Sequence, residues 1–275
     1  MLISFARAIM PALPERVAFR LAVYLASLPS RLPVKPEDRK VLAAASRFEF
    51  GQSPPRVAWR WGSGPTVVLA HGWGGRAAQM VKLASAIAAS GHQVVVFDGQ
   101  GHGESPGRTI GFARLMDDLK ALHDALHGDV TAWVCHSAAG LCLAAMRDRL
   151  DLAAQRLVFL ATPRGPYIPI NELQRYLQPR AAVLDRCRDH YAAEFGSHWQ
   201  EVNRGAAFVN GGNIDLLLIQ DRDDPRIDQR DAEQIAAVWG DAEVVHTESL
   251  GHLKVLWSEQ VFIKVVDFLQ PTVAP

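Results

Sequence analysis

Val130-Thr-Ala-Trp-Val-Cys-His-Ser137-Ala-Ala-Gly140 runs from an apolar, strand-like segment into a small-residue stretch and then into a helix. A serine at such a sharp strand-to-helix turn must adopt a strained backbone, and it is held out at the positive end of the following helix. Working outward, short apolar runs and helical periods alternate. Arg56–Trp61 reads as a strand ended by Gly62-Ser63-Gly64-Pro65, and Thr66–Ala70 (TVVLA) and Gln93–Phe97 (QVVVF) follow as strands. Arg156–Leu160, Ile214–Ile219 and Glu243–His246 continue the series. Helical periods fill Ala77–Ala89, Ile110–Leu126, Ala138–Leu150, Ala232–Trp239 and Glu259–Leu269. Short, fully apolar strands alternating with helices predict an α/β fold: a mostly parallel central sheet flanked by helices. In such a sheet, function collects in the loops at the carboxyl ends of the strands.

One stretch interrupts the alternation. Residues 163–212 are polar and Arg-rich, with helical patches at Asn171–Leu177 and Ala181–Phe195. They are too long for a simple loop and are expected to form a small helical cap, or lid, inserted between core strands. The core is then 51–162 together with 213–275, and residues 1–50 form an N-terminal helical segment and linker. Pro29–Pro36 (PSRLPVKP) reads as that linker. Before it, Val17, Leu21 and Leu25 recur at helical spacing. Arg7, Pro11, Pro14, Glu15, Arg16 and Arg20 break the apolar character, so neither a spanning helix nor a signal peptide fits. A helix packed on the protein itself or on a partner is expected, in preference to one lying on a membrane surface or to a cleaved signal.

With 49% hydrophobic and 21% charged residues, the chain is an ordinary globular one. Lys plus Arg equals Asp plus Glu at 29 each, so no net field draws it to nucleic acid or to an anionic surface. The three cysteines, Cys135, Cys142 and Cys187, form no disulfide framework and no C-x-x-C, which fits a reducing, cytoplasmic setting. The sequence is silent on oligomeric state.

Four places carry chemistry, and all fall at strand ends. Ser137 is a candidate nucleophile. His71-Gly72-Trp73-Gly74-Gly75 follows the strand Thr66–Ala70, and its glycines let the backbone aim amides at a bound oxygen. The amides of Trp73 and Ala138 would form a two-donor oxyanion hole, with His71, Gly72 and His136 beside the substrate. Asp221-Arg-Asp-Asp224-Pro225 follows the strand Ile214–Ile219. Either Asp223 or Asp224 could accept the Nδ1 proton of a histidine and fix its tautomer. Leu250-Gly251-His252 follows the strand Glu243–His246, and Gly251 lets His252 turn toward the sheet end. His123 and His127 lack the further ligands a zinc site needs, and G-x-x-x-x-G-K-[ST] is absent. Gly99, Gly101 and Gly103 miss a dinucleotide fingerprint because Glu104 stands where Gly or Ala is required.

Taken together, these motifs resemble the α/β-hydrolase superfamily over roughly 57–269. The likeness rests on His71-Gly-Trp-Gly, on Phe97-Asp-Gly-Gln-Gly-His-Gly-Glu-Ser105, on the elbow Cys135-His-Ser137-Ala-Ala, and on the chain order Ser, Asp, His. The departures are Cys135 and Ala139 at the two elbow glycine positions, Asp221 for Gly and Asp228 for Pro; none removes a reacting group. The resemblance favours Asp224 as the acid and matches His252 to the family's terminal Gly-His. It implies a serine esterase that acts on a small-molecule ester or thioester without cofactor or metal. Thioesterase or acyltransferase, cofactor-free perhydrolase and C–C hydrolase chemistry use the same machinery. A non-catalytic binding protein of this fold is the alternative outside enzymes.

Overall fold

The computed structural model describes residues 2–29, 33–152, 154–209 and 211–270; residues 30–32 of the expected linker lie outside them. Eight strands form one sheet among the described residues: β1 (Ser46–Phe50), β2 (Arg56–Gly62), β3 (Thr66–Ala70), β4 (Gln93–Asp98), β5 (Ala132–His136), β6 (Arg156–Leu160), β7 (Asp215–Asp221) and β8 (Ala242–Thr247). Their order is β1-β2-β4-β3-β5-β6-β7-β8. β1–β2 and β2–β4 are antiparallel, and the other pairs are parallel. The helices are α1 (Leu2–Ile9), α2 (Glu15–Ala26), α3 (Pro36–Ala44), α4 (Ala77–Ala89), α5 (Phe112–Ala125), α6 (Ala138–Leu150), α7 (Ile168–Tyr176), α8 (Ala181–Glu194), α9 (Trp199–Val202), α10 (Asp231–Trp239), α11 (Gly251–Lys254) and α12 (Glu259–Leu269).

Side-chain alternation along the strands divides the core in two, as the pleat requires. Val68, Val95, Trp133, Phe159 and Leu218 point to one face, where α2, α5, α6, α8 and α10 pack. Val67, Val94, Val134, Val158 and Leu217 point to the other, against α4 and α12. Both faces are covered, which is why these strands read as unbroken apolar runs. β1 is not foretold by the sequence pattern. It lies within the stretch read as N-terminal segment and linker, yet pairs with β2 as an edge strand. Only Phe50 of its five residues is buried, so a short half-exposed edge leaves a weak apolar signature.

The sheet order reverses at β3. The chain passes from β3 to β4 on one side, then crosses to β5 on the other. Because Ala70 lies opposite Cys135, the loop after β3 and the turn after β5 leave the sheet side by side. A crevice at such a switch point is where an open α/β sheet binds its ligand. α7, α8 and α9 lie between β6 and β7 in sequence, and α2 packs against α7 and α8.

Candidate active site

Ser137 sits between β5 and α6 with φ 56° and ψ −124°, a left-handed conformation that a β-carbon disfavours. The surroundings hold it there. Its amide donates to the Leu160 carbonyl of the neighbouring strand, 2.9 Å away, and its carbonyl accepts from Gly140. Gly140 is the residue that lets helix and sheet meet: a β-carbon there would stand 2.3 Å from Thr162 Oγ1. The close-approach glycine thus falls one position beyond the buried Ala139. The Ser137 hydroxyl does not cap α6 and is not hydrogen-bonded to His252 in this conformation. Both side chains line the same cavity.

The loop after β3 presses on this turn. A β-carbon at Gly72 would lie 2.8 Å from Ser137 Cβ and 3.4 Å from the Ala138 nitrogen. Among the described residues, neither the Trp73 nor the Ala138 amide is taken up by an internal acceptor. Two neutral histidines brace the loop. His71 Nδ1 donates to the Gly72 carbonyl, and its Nε2 accepts from the Gly99 amide. His102 Nδ1 donates to the Gln100 carbonyl, and its Nε2 accepts from the Gly74 amide. The rings lie 4.6 Å apart. Burial pushes His71 down to about 4. Burial and then the neighbouring His71 push His102 down to about 3. Each must stay neutral, because its second nitrogen is already an acceptor.

His252 is the second residue of the short helix α11 after β8. Its Nδ1 donates to Asp224 Oδ2 at 2.8 Å, and Asp224 is buried. Asp224 Oδ1 accepts from the amides of Arg226 and Ile227, at 2.8 and 3.2 Å, which leaves Oδ2 to the imidazole. Asp223 does not reach the histidine; its Oδ2 accepts from the Ser249 amide. Asp221 organises the whole turn. Fully buried, it accepts from Thr247 Oγ1 and from the amides of Asp223, Leu250 and Gly251. Burial raises its carboxyl, but these four donors outweigh that and hold its pKa below the usual value.

The residues expected beside the substrate, His71, Gly72 and His136, are buried next to the cavity as supports and do not line it. His136 Nε2 donates to the His252 carbonyl at 2.9 Å, and the two rings are 4.8 Å apart. Burial, then the His252 charge and, more weakly, the Arg226 charge take His136 down to about 3. The cavity itself, about 550 Å³, is walled by Leu25, Leu28, Trp73, Ile168, Leu173 and Leu177, with Glu172 and Arg226 among its polar groups. That α2 and the residues after it supply a wall was not legible in the sequence. Trp73 Nε1 donates to the Ala26 carbonyl at 3.2 Å, tying the end of α2 to the loop after β3.

A family model described as serine aminopeptidase, S33, matches residues 64–249, about two thirds of the chain and the strands β3 to β8. The chain belongs to this hydrolase family. Solved structures give the same fold. A bromoperoxidase from Bacillus anthracis matches with a TM-score of 0.62 at 17% identity, over 82% of this chain and 100% of that one. An esterase from Thermogutta terrifontis matches with a TM-score of 0.60 at 15% identity, over 82% and 98%. An enol-lactonase from Burkholderia xenovorans LB400 matches with a TM-score of 0.57 at 18% identity, over 78% and 96%. At these identities the likeness is one of fold. No curated protein matches this hydrolase in sequence. Among its described residues no helix is long and apolar enough to cross a membrane, and no cluster of His, Cys, Asp and Glu could hold a metal ion.

Proposed function

We propose that this hydrolase cleaves a carboxylic ester by acyl transfer, with Ser137 as nucleophile, His252 as general base and acid, and Asp224 as the group that orients His252. One observation carries the reading. A serine in a strained left-handed turn shares an apolar cavity with an imidazole whose far nitrogen is bound to a buried carboxylate. The Asp224 bond puts the proton on His252 Nδ1, so Nε2 is free to accept the Ser137 proton. Attack on the carbonyl carbon forms the Ser137 O–C bond and places negative charge on the carbonyl oxygen. The Trp73 and Ala138 amides, which have no internal acceptor among the described residues, would receive it, and a donor of this kind typically contributes about a hundred- to a thousandfold in rate. His252 then delivers its proton to the departing alkoxide as the C–O bond breaks. Water, deprotonated by the same imidazole, releases the acid and restores the serine.

The apolar wall of Leu25, Leu28, Ile168, Leu173 and Leu177 favours an acyl or alkyl chain over a charged peptide terminus. A fluorophosphonate probe tests the nucleophile: it should label Ser137, and Ser137→Ala should lose both the label and nearly all turnover. p-Nitrophenyl esters of increasing chain length, run beside aminoacyl p-nitroanilides, test the substrate class. Folded protein that takes no label, or anilide turnover without ester turnover, would refute the proposal.

A further inference from the structure

The cavity at Ser137 shares one residue with a second concavity of about 510 Å³. α7 is the partition. Ile168, Glu172 and Leu173 face the first space, and Ile170 and Asn171 face the second. Arg226 lines both. The second space is polar and carries two more guanidinium groups, Arg164 and Arg188. These are already spent: Arg164 pairs with the buried Asp231 at 3.2 Å, and Arg188 with Asp185 at 2.5 Å. The carboxylates of the cleft are spent as well. Asp228 is held by Arg230, and Asp231 by Arg164 and Tyr167. Arg226 differs. Among the described residues its backbone amide bonds Asp224, but its guanidinium makes no hydrogen bond or ion pair, and none joins it to Glu172. An unspent guanidinium at the seam of an apolar cavity and a polar cleft has the fork geometry that binds an oxyanion.

Its place in the chain fixes which part of a substrate it would meet. The leaving oxygen must lie within proton reach of His252. Arg226 follows the carboxylate that holds His252 by two residues, and Arg226, His252 and Ser137 line one cavity. The group that departs on the His252 side therefore faces Arg226, while the apolar wall takes the other half of the ester.

We propose that this hydrolase prefers esters whose leaving alcohol carries an oxyanion, a carboxylate or a phosphate, held by Arg226. The proposal rests on the ester-hydrolase reading above. The test uses three butanoyl esters, of 4-hydroxybenzoate, of 4-hydroxyphenyl phosphate and of methyl 4-hydroxybenzoate, with the wild-type enzyme and with Arg226→Gln. Each ester is compared with itself across the two proteins, so leaving-group acidity cancels. Arg226→Gln should raise KM for at least one anionic ester about tenfold relative to the neutral one, equivalent to about 1.4 kcal/mol. Whichever anionic ester responds identifies the oxyanion. Arg226→Lys should recover part of the loss, and about 0.5 M salt should shrink the wild-type preference. Equal effects on all three esters, or none, would overturn this inference while ester turnover left the hydrolase reading standing. No turnover of any ester, with Ser137 unlabelled by fluorophosphonate, would overturn both.

Discussion

Asp224→Asn should cost this hydrolase on the order of ten-thousandfold in kcat, and the geometry shows why. Asp224 Oδ1 is fixed by the Arg226 and Ile227 amides, at 2.8 and 3.2 Å. An asparagine amide would keep its oxygen on those two donors, because its nitrogen cannot accept from them. The Nδ2 group is then turned toward His252 Nδ1, where the carboxylate Oδ2 now accepts at 2.8 Å. A donor in that place forces His252 to carry its proton on Nε2, the nitrogen that takes the Ser137 proton in the proposed mechanism. The fold survives and the tautomer is wrong. A comparable change in a serine protease lowers kcat about 10⁴-fold, which is about 5 kcal/mol of barrier at 1.36 kcal/mol per tenfold. The assay is p-nitrophenyl butyrate hydrolysis under saturation, with thermal melting to show that the variant is folded. Asp223→Asn is the control: its Oδ2 serves only the Ser249 amide, so it should cost less than tenfold. An Asp224→Asn enzyme within tenfold of wild type, or an Asp223→Asn enzyme that loses the larger factor, would refute the assignment.

Other outcomes follow from the same structure. Gly140→Ala should destabilise the protein by about 1–3 kcal/mol, because the new methyl meets Thr162 Oγ1 at 2.3 Å; adding Thr162→Ala should return part of it, read from denaturant midpoints. Asp221→Ala removes the acceptor of four donors at the β8–α11 turn, so stability should fall by about 3 kcal/mol and kcat with it, and Asp221→Asn should lose less. His71, His102 and His136 have folded-state pKa values lowered to about 4, 3 and 3, so their stability is full above their ordinary value of 6.5 and is lost as pH falls toward those values. At pH 5 each should have given up about 2 kcal/mol; Asp118, raised to about 6 chiefly by burial, offsets part of this, because its contribution shrinks as pH rises through 6. Unfolding free energies that stay level between pH 7 and pH 5 would show that those imidazoles are not kept neutral.

Much of this could be read from the chain before its shape was known, for a physical reason. β3, β4, β5 and β6 are buried on both faces, so their residues must be apolar without interruption, and the pattern is local. Ser137, Asp224 and His252 each lie just past a strand end, where loop chemistry marks them out. What stayed hidden depends on residues far apart in sequence. Asp221 looks like turn punctuation until Thr247, Leu250 and Gly251 fold back onto it. His71 is expected beside the substrate from its motif, and only the fold shows that it and His102 hold the loop through the Gly99 and Gly74 amides. The spacing glycine at position 140 is set by Thr162, on the following strand connection.

The attachment of α2 to the loop after β3, through Trp73 and Ala26, separates two kinds of heritable change in this molecule. Leu25, Ala26 and Leu28 line the cavity that holds Ser137 and His252, yet they lie upstream of every strand and outside the span that marks the family. Variation there can retune which molecules are accepted while the reacting groups stay where they are. A gene shortened to the span that marks the family would lose Leu25, Ala26 and Leu28 from the cavity wall along with the helix, and under the proposed function its substrate preference should change.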